Sequence, residues 1–162
     1  MNIRPIIKFY RYAFARENYA LLMRAVYTAW LVYRKLPDRV TTPRLIDALP
    51  LVNDFYLVPQ PGWRISDAEK VARFASFIVN FPFRWGKCFQ QSLILYRLLN
   101  GYGIAARICI GIDRKDRNRE GHVWVEKLGE NIQAIGEPWE PSERYQMIFT
   151  SPLPENLLKN RE

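Results

Sequence analysis

The hydrophobic period of this chain changes once, near Gly103. Before that residue apolar side chains recur at helical spacing; after it they run together or alternate as strand residues do. The two periods bury different faces, so the order of elements is already a constraint on the fold. Helices first and a small antiparallel sheet second describe an α+β domain, with the helices covering the sheet.

Within the helical part, Glu17 to Lys35 places Leu22, Ala25, Val26, Ala29, Trp30 and Tyr33 on a stripe that reads as core-facing, and Leu36-Pro37 ends it. A second helix is predicted from Thr42 as N-cap, with Pro43 at its first position, through Leu49. Pro50, Pro59, Pro61 and Gly62 then mark an irregular connection. Ser66-Asp67-Ala68-Glu69 has the pattern of a capping box, opening a helix that carries Val71, Phe74, Ala75, Phe77 and Ile78 and stops near Pro82. The next helix starts near Cys88, holds Leu93, Leu95, Tyr96, Leu98 and Leu99, and closes at Gly101 or Gly103. Strands are predicted over Ala105–Ile112 and His122–Glu126, with a charged loop between. Asn131–Ile135 is the hairpin partner of the second strand, across Leu128-Gly129-Glu130.

A length of 162 residues, 49% hydrophobic and 25% charged, suits one globular core. It divides into a helical N-terminal segment, residues 1–60, and a segment 61–162 that holds the chemistry, the two forming one compact unit. The formal net charge is +8, and residues 1–60 carry +5 of it, nine Lys and Arg against four Asp and Glu. No nucleic-acid-binding motif accompanies that charge, so nucleic acid is not read as a partner. Two cysteines, Cys88 and Cys109, are too few for a disulfide scaffold, and the N-terminus lacks the pattern of a signal peptide. The longest apolar stretch, Tyr19 to Tyr33, is broken by Arg24 and too short to span a bilayer. These features read as a cytoplasmic protein without a membrane span.

His122 is the only histidine, and Cys88 stands at a predicted helix start two residues after Gly86. Free N–H groups and partial positive charge at a helix start favour thiolate over thiol and can hold an oxyanion. An imidazole brought beside such a sulfur activates it for acyl transfer. Cys109, inside a continuous apolar strand, reads instead as a small buried hydrophobe. No metal or cofactor is implied, since one His and two Cys give no convincing ligand spacing.

Three blocks, Gly86-Lys87-Cys88, Gly103-Ile104-Ala105-Ala106-Arg107 and His122-Val123-Trp124-Val125-Glu126, resemble the pattern of the transglutaminase-like superfamily of cysteine proteases and acyltransferases. Their short spacing, Ser92-Leu93 after the cysteine and the helical N-terminal arm are most similar to the stand-alone leader peptidase of lasso-peptide biosynthesis. Gln90 and Gln91 depart from that pattern, which often shows Arg there. The resemblance implies a papain-like fold and a nucleophile Cys88 with His122 as its base. It also implies hydrolysis of a leader from a precursor peptide, with a separate leader-recognition protein and an ATP-dependent cyclase as partners. Another acyl transfer at the same site, or a non-catalytic peptide-binding module, stand as alternatives.

The family's triad ends in Asp, and no Asp follows His122 here. A two-residue turn at Gly129-Glu130 would set His122 opposite Glu137, making Glu137 the candidate orienter, with Gln133 and Asn131 as amide rivals. Trp124 and Glu126 share the strand face of His122 and are expected to pack around the imidazole. Trp85 walls the substrate cleft or fills the core.

Overall fold

The computed structural model describes residues 12–36, 50–80, 88–115, 121–129, 132–137 and 140–151. Helix α1 spans Arg16–Lys35, α2 Pro50–Phe55, α3 Ala68–Asn80 and α4 Cys88–Gly101. Strands β1 (Ala106–Asp113), β2 (Gly121–Lys127) and β3 (Gln133–Ala134) follow, then a short helix α5 (Pro141–Arg144) and strand β4 (Tyr145–Thr150). The four strands pair antiparallel in the order β3-β2-β1-β4. The α+β architecture is the one the change of period predicts.

Helix α4 is buried along almost its whole length, from Phe89 and Gln90 through Leu93–Tyr96 to Leu98–Gly101. It packs against α1 and α3 on one side and against β1 and β2 on the other. One continuous core joins Leu21, Ala25 and Val32 of α1 and Phe74 and Ala75 of α3 with Leu93, Leu98 and Leu99 of α4 and Ile108, Ile110, Val123 and Val125 of the sheet. The opposite face of the sheet carries a smaller cluster, Cys109, Trp124, Ala134 and Tyr145. No helix among the described residues is long and apolar enough to cross a membrane.

The turns and caps place α4 firmly. Gly103 has φ 76° and is the left-handed residue that ends the helix, with the Ile104 N–H donating to the Leu99 carbonyl at 2.9 Å. Gly101 is kept small for a different reason: a Cβ there would lie 2.7 Å from the Trp63 ring and 2.8 Å from Leu57. Buried Asn100 ties the helix end to β1, donating to the carbonyls of Tyr96 (2.9 Å) and Ala106 (3.3 Å) and accepting from the Ala106 N–H at 3.4 Å.

Several elements differ from the sequence reading. The buried stripe of α1 is Asn18, Leu21, Leu22, Ala25, Thr28, Ala29 and Val32, whereas Val26, Trp30 and Tyr33 are between 43% and 45% exposed. This helix is apolar on two faces, and the face with small Ala25 and Ala29 allows the closer approach to α3 and α4. Helix α2 begins at Pro50, where an irregular connection is predicted; Pro is tolerated in a first helical turn because its missing N–H would lack a partner there anyway. The cap of α3 is Asp67, whose Oδ1 accepts the Lys70 N–H at 2.9 Å, one residue later than the Ser66 box. Strand β4 has no counterpart in the reading, because its burial does not alternate: only Tyr145 is buried, and Gln146 to Ile148 are exposed. The helix read from Thr42 to Leu49, the 84–87 run with Trp85 and Gly86, and Asn131 lie outside the described residues.

Candidate active site

Cys88 opens α4, and two polar links hold that first turn to β2. The Ser92 hydroxyl, one turn after Cys88 on the same side of the helix, donates to the Val123 carbonyl at 3.0 Å and is buried. The Val123 N–H reaches the Cys88 sulfur, as does the N–H of Phe89. Strand β3 pairs only with Glu126 and Lys127, and the Ile135 N–H reaches the Val125 carbonyl at 2.9 Å. Farther along β2 at Val123, the backbone is therefore not paired by β3 and receives the helix start instead. The residue beside Val123 is His122, so docking of α4 on this strand edge brings sulfur and imidazole together.

His122 Nε2 lies 3.2 Å from Glu137 Oε1, and both side chains are mostly buried, at 18% exposure. Sequence reasoning names this pair, but by a register that the sheet does not adopt. Glu126 pairs with Ala134 and Lys127 with Gln133, one residue away from the predicted alignment. Strand β3 ends at Ala134, and Gly136 (φ 77°) turns the chain so that Glu137 meets the imidazole from a loop. Gln133 is paired with Lys127 at the far end of β2 from His122 and is exposed.

Aromatic rings enclose the imidazole on its other side. Tyr145 lies 5.1 Å from it between ring centroids at 27°, and Trp124 lies 6.1 Å away at 14°. The residue opposite His122 on β1 is Gly111, where a Cβ would meet Tyr145 Cβ at 2.8 Å and Trp124 Cη2 at 3.0 Å. A side chain at Gly111 is excluded by the Trp124 ring, the Tyr145 Cβ and the Gln146 carbonyl, which occupy its space. Trp124 is itself fixed: its indole N–H donates to Glu126 Oε1 at 3.0 Å, and Glu126 Oε2 accepts from Arg107 Nε (2.8 Å) and Nη2 (2.7 Å). Trp124 thus packs beside the imidazole as the shared strand face predicts, and Glu126 acts one step further out by holding the indole.

The charges follow from this geometry. Burial pushes the Cys88 thiol up, but the hydrogen bond with His122, the Val123 and Phe89 N–H groups and the imidazolium charge outweigh it, leaving the thiol below its ordinary value. Cys88 as a residue is exposed, although its neighbours desolvate the thiol. Burial likewise pulls His122 down, yet the bonds to Cys88 and Glu137 and their charges raise it to about 9. Both shifts favour thiolate beside imidazolium. Cys109 goes the other way: it is fully buried, and burial together with the Glu126 carboxylate pushes its thiol far up.

The family model of the transglutaminase-like superfamily matches residues 52–150, more than half of the chain. The chain belongs to the transglutaminase-like superfamily. The match begins in α2 and ends with the last residue of β4, so this transglutaminase-like region contains Cys88, His122 and Glu137, while α1 lies outside it and still contributes to its core. The superfamily includes cysteine proteases and acyltransferases. No curated protein and no solved structure matches the chain.

Ser92, Gly111 and Tyr145 are the site residues for which sequence reasoning gives no role. Ser92 carries a signal in retrospect, since a hydroxyl four residues after a helix-start nucleophile shares its helix face. Tyr145 carries none, because it belongs to the strand that the pattern does not reveal.

Proposed function

We propose that this chain is a cytoplasmic cysteine peptidase that removes the leader from a ribosomally made precursor peptide, as in lasso-peptide maturation. The observation that carries the chemical part is the convergence of Cys88, His122 and Glu137, from a helix start, a strand and a loop, with the thiol pulled down and the imidazole pulled up. The leader-peptidase part is supported by the resemblance of the three sequence blocks and by their spacing.

In this reading the Cys88 thiolate attacks the peptide carbonyl, and the negative oxygen formed is held by N–H groups at the start of α4, that of Cys88 among them. With Nε2 engaged by Glu137, Nδ1 is the imidazole nitrogen that faces the sulfur. The imidazolium gives its proton to the leaving amine as the carbon–nitrogen bond breaks, which leaves a thioester on Cys88. Neutral His122 then takes a proton from water, whose oxygen attacks the thioester, and the carbon–sulfur bond breaks to release the acid and restore thiolate beside imidazolium. Glu137 keeps the ring oriented and stabilises its charged form, the role usually filled by Asp. Residues 1–60, with most of the net positive charge, are the surface proposed for a leader-recognition protein, and an ATP-dependent cyclase is the proposed consumer of the released core peptide.

The test is mass analysis of a precursor peptide incubated with the chain and its recognition protein. Wild type is expected to yield two fragments whose masses sum to the precursor plus one water. Cys88→Ala yields none, while Cys109→Ala remains active. An added amine mass on the acyl fragment would instead assign aminolysis, and equal loss of activity in two folded cysteine variants would overturn the nucleophile assignment.

A further inference from the structure

A second concave site lies at the other end of α4. Met23, Arg24 and Tyr27 of α1, Leu57 and Trp63 of the connection after α2, and Arg97 of α4 line a cavity of about 490 Å³. Two of these residues carry guanidinium groups, and among the described residues no carboxylate lines the cavity. Arg24 stacks on Trp63, 4.2 Å from the ring centroid, and donates through Nη1 to the Tyr102 hydroxyl at 2.9 Å. That arrangement fixes the guanidinium plane and leaves most of its N–H donors unspent. Arg97 is half-buried, and among the described residues neither arginine has a carboxylate partner. Burial pulls the Arg97 guanidinium below its ordinary value, which is the direction that a bound anion would relieve.

The remaining lining is mostly apolar, with Thr28 and Gln60 as its uncharged polar members. Met23 is 48% and Tyr27 57% exposed, and Tyr27 stacks on Trp30 (44% exposed) with ring centroids 5.9 Å apart. The apolar rim therefore continues along the outer face of α1. We propose that this cavity is an exosite for a peptide segment in which a carboxylate side chain stands next to an apolar one, the carboxylate held by Arg97 and Arg24 and the apolar group against Met23, Tyr27 and Leu57. A planar guanidinium pair matches a carboxylate through parallel N–H donors, which an ammonium pair would not.

The cavity is separate from the cysteine site. Arg97 follows Cys88 by nine residues on one helix, about two and a half turns, so the two lie on opposite sides of it and roughly 13 Å apart along its axis. The choice of a peptide as ligand rests on the peptidase reading; the site rests on its own residues.

The experiment measures binding apart from cleavage, in the Cys88→Ala protein. A short, amide-capped, dye-labelled peptide containing Glu-Leu is titrated by fluorescence anisotropy against its Gln-Leu counterpart. The Glu peptide is expected to bind about tenfold more tightly or better, as a charge-assisted pair is worth that much. Arg97→Gln should erase the difference. Met23→Glu, which places a carboxylate of the protein's own at the cavity rim, should do the same without touching either arginine. Iodoacetamide labelling of Cys88 in otherwise wild-type protein should be unchanged by both substitutions. Equal binding of the two peptides, or a preference that survives both substitutions, overturns the exosite. Full displacement of the Glu peptide by equimolar inorganic phosphate would overturn the peptide assignment in favour of a simple anion site. Failure of the peptidase reading has a different signature: the preference intact in Cys88→Ala and the precursor peptide left uncleaved by the wild-type protein.

Discussion

At the scale of single residues, the proposed chemistry assigns to a glutamate the role that an aspartate usually fills. Glu137 reaches His122 Nε2 at 3.2 Å because Gly136 turns the loop, and its bond and charge are among the influences that raise the imidazole to about 9. Glu137→Gln is therefore expected to lower the His122 pKa and to reduce turnover by roughly a hundredfold to ten-thousandfold with the fold intact. His122 is the only histidine, so an NMR titration of one imidazole reads the first effect without assignment difficulty. Near-normal rates with an unchanged imidazole would remove Glu137 from the site. Cys88 and His122, the proposed nucleophile and base, are candidates from residue type, setting and the resemblance of their sequence blocks, and the fold brings them together. The pairing with Glu137 follows from counting across a turn, although the sheet register is one residue off. Side-chain reach and a left-handed glycine make up for a strand that is too short to carry the alignment.

At the scale of elements, what matters is how a helix start is fastened to a strand. The Ser92–Val123 bond is buried and spans α4 and β2 one turn below the nucleophile. Ser92→Ala leaves the Val123 carbonyl without that donor and is expected to cost about 1–3 kcal/mol in chemical denaturation. It should also slow turnover at saturating substrate more than it weakens substrate binding, since it displaces sulfur relative to imidazole and not the substrate cleft. A stability loss with unaltered kcat would make Ser92 a packing residue only. The helices α1 and α3 are recoverable from helical spacing, and α4, β1 and β2 from apolar residues dense enough to mark them as buried elements. Strand β4 is not, because β1 supplies its hydrogen bonds and its side chains from Gln146 to Ile148 face solvent. The cap of α3 differs for a similar local reason: Ser66 and Asp67 are both competent caps, and only the backbone path decides between them.

At the scale of the whole molecule, the site is assembled by segments that hold little alone. Helix α1 lies outside the superfamily match yet sends Leu21, Ala25 and Val32 into the core that supports α4. Leu21 is 1% exposed, so Leu21→Ala should cost about 2–5 kcal/mol and lower the midpoint of a single cooperative transition. A separate, unshifted transition for the remaining residues would instead make α1 an appendage. Cys88 reactivity is likewise a property of the whole fold, because sulfur, imidazole and carboxylate arrive from three separate segments. The direct measurement is the rate at which iodoacetamide alkylates Cys88 as a function of pH, in wild type and in His122→Ala. Wild type should become reactive below the ordinary cysteine value of about 8.5. In His122→Ala the burial remains without the imidazolium, so the inflection should move up to that value or beyond. The same inflection and rate in both proteins would contradict a thiolate held by His122.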